Sequence, residues 1–325
     1  MKRVACCLVA CLAGIAFEPV SADPFIAGNI LLSTDGTVYE YTPAGVQVQE
    51  ITVPELDSPY FPYSSAGKAR DIIVHPSGEL LVFNGKFPAS MSTYDPGADS
   101  WTHQSFTDWD MVANVAYGGI ATDGRFVYVC DSTLGSSSNP GGVVRFDRQD
   151  GSAIRSSVSR DAHDLALGLD GFLYTLSGEN TVNKFDPANL DHLGDIYIGS
   201  GLRGLAVDVD GSMFVVAGGW RLRHYAADGS FLGELELPTA GTVFTSEHQD
   251  VDLLPDGSIL VGQRWGSVVQ TDRDFSSATA FQGPTERPTF VAFTNAVPEP
   301  STAILAGIAA IALAVLGVRR RRTPT

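Results

Sequence analysis

One feature constrains this chain more than any other: a glycine that returns at nearly constant spacing in the same local setting. Gly78, Gly124, Gly171, Gly211 and Gly257 are separated by 46, 47, 40 and 46 residues. Each follows one short alternating apolar run and precedes another, as in Asp164 to Gly171 followed by Phe172 to Leu176. A tight turn between antiparallel strands needs positive φ, which glycine adopts at no steric cost. A third run closes each copy, and the clearest, Thr181 to Phe185, ends on Asp186-Pro187. A fourth follows, such as His192 to Ile198. Four strands in 40 to 50 residues is the period of a propeller blade.

The two ends of the repeat region complete one another. Asn29 to Ser33, Thr37 to Pro43 and Val46 to Val53 match strands two, three and four of a copy, with no first strand before them. Pro288 to Phe293 matches a first strand with nothing after it. Pairing the two makes six blades and closes the ring, leaving no open sheet edge. The expected fold is therefore all-β, a six-bladed β-propeller over residues 23–296. Seven blades and a two-sheet sandwich are the alternatives, and the period argues against the sandwich. No part of the body reads as a long capped amphipathic helix.

Targeting segments flank the body. Lys2 and Arg3 precede an apolar run from Val4 to Phe17, and Val20-Ser21-Ala22 supplies the small residues a signal peptidase reads. Residues 1–22 are thus a secretory signal cleaved between Ala22 and Asp23. Leu8-Val9-Ala10-Cys11 is similar to a lipobox, but the apolar run continues past Cys11, which favours removal of the whole segment.

At the other end stand Val297, Pro298, Glu299 and Pro300, an uncharged stretch 302–318, and then Arg319, Arg320, Arg321 and Arg322. Seventeen apolar residues in a helix rise about 26 Å, enough for a thin bilayer, and the arginines hold their side in the cytoplasm. Residues 297–325 are read as an anchor with a transmembrane helix at about 302–318. This segment resembles the PEP-CTERM sorting tail. The resemblance implies recognition by an exosortase, which cleaves near Pro298-Glu299-Pro300. It also implies transient single-pass anchoring in the inner membrane, then delivery to the cell surface or an extracellular polysaccharide matrix.

Charge narrows the partners. Setting aside the six basic and two acidic residues of the terminal segments leaves a body of about −20 from totals of 21 and 37. A field of that sign excludes nucleic acid and anionic membrane as binding surfaces. Cys6, Cys7 and Cys11 leave with the signal, so Cys130, inside an apolar run, has no intrachain disulfide partner and reads as a buried thiol.

The repeat copies resemble NHL-like repeats and the wider six-bladed group that includes the gluconolactonase and streptogramin-lyase families. That likeness speaks to fold rather than activity. In a propeller the first strands line a central channel. Their polar starts here are Thr289, Asp71, Gly119, Asp164, Gly204 and Asp250, with Arg70, His163, Arg203, His248 and Gln249 alongside.

Asp71, Asp164 and Asp250 fall on alternate blades, and converging carboxylates suit Ca²⁺, which takes six to eight oxygens. The gluconolactonase resemblance implies such an ion, although that family's Glu and Asn ligands have no match here. In the alternative, these side chains cap backbone N–H groups or pair with Arg70 and Arg203. No other cofactor is expected.

Trp109, Trp220 and Trp265 are placed on loops of the same rim, with Tyr60, Phe61, Tyr63 and Phe87. Exposed rings stack on sugars, while Asp and Arg bond hydroxyls; the bland reading is that these rings fill gaps between blades. There is no nucleophile elbow, metalloprotease helix or zinc spacing. Streptogramin-lyase-like chemistry would use a rim histidine, leaving His163 and His248 as candidates. The leading expectation is a non-enzymatic binding or scaffolding propeller whose partner is a polysaccharide or another surface molecule. The alternatives are a Ca-dependent lactonase-like or lyase-like enzyme and a ligand-free matrix component.

Overall fold

A computed structural model describes residues 25–34, 36–54, 69–84, 90–105, 119–131, 142–156, 162–177, 180–218, 220–238, 248–263, 267–284 and 288–294. They form six four-stranded antiparallel sheets. Blade one takes its inner strand from the C-terminal side, β24 (Pro288–Phe293), followed outward by β1 (Ile30–Thr34), β2 (Thr37–Tyr41) and β3 (Gln47–Thr52). Blade two is β4 (Ala69–Val74), β5 (Leu80–Asn84), β6 (Ser90–Asp95) and β7 (Ser100–Ser105). Blade three is β8 (Ile120–Thr122), β9 (Phe126–Asp131), β10 (Gly142–Asp147) and β11 (Ala153–Arg155). Blade four is β12 (Ala162–Leu167), β13 (Leu173–Ser177), β14 (Thr181–Phe185) and β15 (His192–Tyr197). Blade five is β16 (Leu202–Val207), β17 (Met213–Ala217), β18 (Arg221–Tyr225) and β19 (Phe231–Glu236). Blade six is β20 (His248–Leu253), β21 (Ile259–Gln263), β22 (Ser267–Thr271) and β23 (Ala278–Gln282).

The turn glycines behave as their spacing requires: Gly78, Gly124, Gly171, Gly211 and Gly257 have φ of 91°, 91°, 85°, 79° and 86°. Second strands read as unbroken apolar runs because both of their faces are covered. In β5, Leu80 and Val82 pack toward blade one while Leu81 and Phe83 pack toward blade three, the alternation a pleated strand imposes. Repeated around the ring, this fills each of the six gaps between neighbouring blades with its own apolar cluster. Each Val, Leu or Phe buried there contributes about 1.5–3 kcal/mol. Cys130 lies fully buried in β9.

Ring closure is made as expected. β24 pairs antiparallel with β1, Ile30 opposite Phe293 and Leu32 opposite Val291. A polar clasp finishes the seam. The Thr294 N–H donates to Asn29 O at 3.1 Å, and Gly28 N–H donates back to Thr294 O at 3.0 Å. The Thr294 hydroxyl lies 2.6 Å from Ile26 O. Fully buried Glu40 on β2 accepts from Ile26 N–H at 2.8 Å and from Asn29 Nδ2 at 2.7 Å. Among the described residues no helix is long and apolar enough to cross a membrane. The expected signal, with Ala22 and Asp23, and the sorting segment with its 302–318 span lie outside them.

Candidate functional site

The six inner strands surround an axial cavity of about 280 Å³. At one end of it stand Asp71, Asp164 and Asp250 on blades two, four and six. Register assigns the matching positions on the other blades to Gly119, Gly204 and Phe290, so the polar start expected at Thr289 lies one residue before the ring position of blade one. Two residues further along each strand, Ile73, Ala121, Ala166, Ala206, Ala292 and Asp252 form a narrow second tier.

The three aspartates are buried, with 5%, 4% and 7% exposure in sequence order. Asp71 Oδ1 accepts the Ile72 N–H at 2.7 Å, and its Oδ2 accepts the Ile120 N–H of blade three at 2.7 Å. Asp164 Oδ2 accepts the Leu205 N–H of blade five at 2.7 Å, and the Leu165 N–H bonds the same carboxyl. Asp250 Oδ1 accepts the Val251 N–H, and its Oδ2 accepts the Val291 N–H of blade one, both at 2.8 Å. Each carboxyl therefore satisfies an inner-strand N–H that has no ladder partner and ties its blade to the next one.

The intervening glycines answer the same need for close approach. A Cβ on Gly119 would sit 2.5 Å from Leu165 N, and one on Gly204 would sit 2.9 Å from Asp250 Cα. Aspartate and glycine thus alternate from blade two to blade six, bridging one gap and closing the next.

Burial is the main cause that raises Asp71 and Asp164 well above the usual carboxylate range, with repulsion from the other ring carboxyls added. Asp250 is pushed up to about 7 and Asp252 to about 6, chiefly by burial. Both oxygens of Asp71 and of Asp250 accept backbone N–H groups, which is the capping arrangement that stood as the alternative to the ion implied by the gluconolactonase resemblance. Among the described residues, no group of three or more His, Cys, Asp or Glu is placed to hold a metal ion.

A second device at this mouth was not foreseen from sequence. Just before the ring position the pairing with the second strand slips between Ala69 and Asp71, Ala162 and Asp164, Leu202 and Leu205, and His248 and Asp250. A similar shift interrupts β24 between Phe290 and Pro288. These are β-bulges, which re-aim a strand and collect near functional sites. Arg70, His163, Arg203, Gln249 and Thr289 lie at the bulges, and His248 immediately precedes one. No residue type announces a bulge, although polar residues directly before the ring position were a usable signal.

Of the rim aromatics, Trp220 lies in the turn between β17 and β18 and is 50% exposed. Trp109, Trp265, Tyr60, Phe61, Tyr63 and Phe87 lie outside the described residues, as do the side chains of Arg70, His163 and His248. Arg203 is partly exposed beside Gly204.

Comparison with known proteins adds three findings. Residues 296–322 match the PEP-CTERM protein-sorting motif. No curated protein matches the chain in sequence. Among solved structures, selenomethionine-substituted virginiamycin B lyase from Staphylococcus aureus superposes with a TM-score of 0.54 at 13% identity, covering 79% of this chain and 84% of that one. A catalytically inactive variant of that lyase with quinupristin gives 0.52 at 13% identity, with 77% of each chain covered. At this identity the likeness concerns the fold alone. The chain is a six-bladed β-propeller followed by a PEP-CTERM protein-sorting motif.

Proposed function

We propose that this protein is exported and sorted by an exosortase through its C-terminal motif, and that its propeller serves at the cell surface or in the surrounding matrix as a non-enzymatic binding or scaffolding body. The observation that carries the reading is the junction between the two parts. The clasp at Thr294 completes the ring, and the matched motif begins at residue 296. All six four-stranded blades are complete by Phe293, so the body already has its full set of strands before the motif begins.

β24 runs away from the aspartate mouth, so the tether leaves from the opposite face. During anchoring the mouth with Trp220 points away from the membrane, where a saccharide or another surface partner has access to it. Half-exposed Trp220 offers a ring face for stacking on a sugar.

The test has two arms. Tagged protein is followed by cell fractionation with and without the exosortase; the proposal expects loss of the tail and release from the inner membrane only with the enzyme. The exported body is then screened on a glycan array beside Trp220→Ala. Binding weakened by the substitution supports the reading, while turnover of a lactone or a streptogramin with no glycan bound would replace it with an enzymatic one.

A further inference from the structure

Three carboxyl groups buried around one axis make an unusual lining. From β8, β16 and β24 the cavity receives Ile120, Ala121, Leu205, Ala206, Val291 and Ala292, apolar side chains that offer no counter-charge. From β4, β12 and β20 it receives Asp71, Asp164, Asp250 and Asp252, and no lysine, arginine or histidine is among its described lining residues. Burying one unpaired carboxylate in such a setting is costly, and burying several within reach of one another is more so. Two backbone N–H groups on each aspartate offset part of that cost. A carboxyl oxygen that accepts one N–H keeps a second lone pair, so the geometry leaves room for a proton.

Each aspartate also bridges two blades, which links its protonation to an interface. We propose that the ring of Asp71, Asp164 and Asp250 is a proton-dependent clasp. In mild acid the carboxyls are neutral and the gaps between blades two and three, four and five, and six and one close fully. As the pH rises, negative charge gathers around the axis and those three gaps loosen.

The direction follows from linkage. Unfolded aspartates titrate near 3.9, whereas burial and mutual repulsion raise the folded ones, Asp250 to about 7. Between roughly pH 4 and 7 the folded chain therefore binds more protons than the unfolded chain, and this contribution to stability is lost as pH rises through that window. His75, His103 and His224, all lowered by burial, act in the opposite sense below about 6.5. A melting curve alone would mix the two effects.

The test therefore reads the carboxyls directly. Infrared difference spectra of the full chain in detergent, titrated from pH 4.5 to 8, should show a protonated-carboxyl C=O band that persists above pH 5.5 and is lost by pH 8. Asp250→Asn should diminish the band, and Asp228→Asn, at an exposed turn, should leave it unchanged. Amide exchange of the bridging N–H groups of Ile120, Leu205 and Val291, corrected for intrinsic base catalysis, should speed up by about tenfold across the same window, the factor that accompanies one pKa unit. Absence of the band above pH 5.5, or pH-independent protection of those three amides, overturns the proposal. Both readouts stand on the wild-type chain even if Asp250→Asn does not fold.

Discussion

Substituting Gly119 by alanine tests how closely the blades must approach at the channel mouth. The added Cβ would lie 2.5 Å from Leu165 N, 2.9 Å from Asp164 C and 2.9 Å from Leu165 Cβ. A relaxed carbon–nitrogen contact is nearer 3.5 Å, so about 1 Å of overlap falls on backbone that cannot rotate aside. Relief has to come from opening the gap between blades three and four. A gap of 0.5–1 Å forfeits about a quarter to a half of the dispersion energy across the contacts it affects. Overpacking of this kind costs about 1–3 kcal/mol, and contact with fixed backbone puts Gly119→Ala at the upper end. At roughly 2–4 °C per kcal/mol for a large domain, Tm should fall by about 6–12 °C. Gly233→Ala is the control, because nothing lies within 4 Å of its added Cβ and its φ is not positive. Calorimetry on the two variants and the wild type decides the matter. A Gly119→Ala protein that melts within about 2 °C of wild type would refute the idea that the mouth is closed by backbone contact.

Three further outcomes are expected. Tyr174→Phe removes the hydroxyl that donates to Asp170 Oδ2 at 2.6 Å, a charge-assisted bond whose loss should cost about 1.5–3 kcal/mol in denaturant unfolding, with the m-value unchanged. A chain that ends at Thr294 should give the circular dichroism and melting behaviour of the full body, whereas one that ends at Pro284 lacks β24, opens the ring at β1 and should aggregate, as light scattering would show. His224 stacks on Phe214 at 4.3 Å, and its Nε2 is buried with no hydrogen-bond partner among the described residues. Burial lowers its pKa, so it stays neutral when folded while the unfolded histidine charges, and the stability it contributes is lost as pH falls below about 6.5. His224→Phe should flatten that part of the stability–pH curve, as paired melts at pH 5 and 7.5 would register.

Much of the architecture is readable in the sequence, for a local reason. A strand-to-strand turn at Gly171 or Gly211 depends on its own backbone angle, and a middle strand such as Leu80 to Phe83 shows its double burial in its own residues. The closure was legible as well, because a first strand at Pro288 and its missing partners before Asn29 are complementary in pattern. The site was less so. Aspartates at 71, 164 and 250 could be seen to recur on alternate blades, but whether they held an ion, met a ligand or capped backbone depended on which N–H groups the next blade presented. Trp220 shows the same limit, since neither its exposure nor its neighbours follow from its place in a turn.

The amino-acid order alone determined the blade, the strand borrowed between the two ends and the sorting motif that follows, because each is written in a repeated or complementary local pattern, while the count of six, which the sequence favoured over seven, was settled by the sheets themselves. Only the tertiary structure decided that Asp164 belongs to Leu205 and Asp250 to Val291, 41 residues away in each case. It also decided that Gly119 is held clear for backbone and that bulges adjoin Arg70 and His163. Those facts depend on how one sheet lies against the next to within a fraction of an ångström, and no single segment encodes that distance.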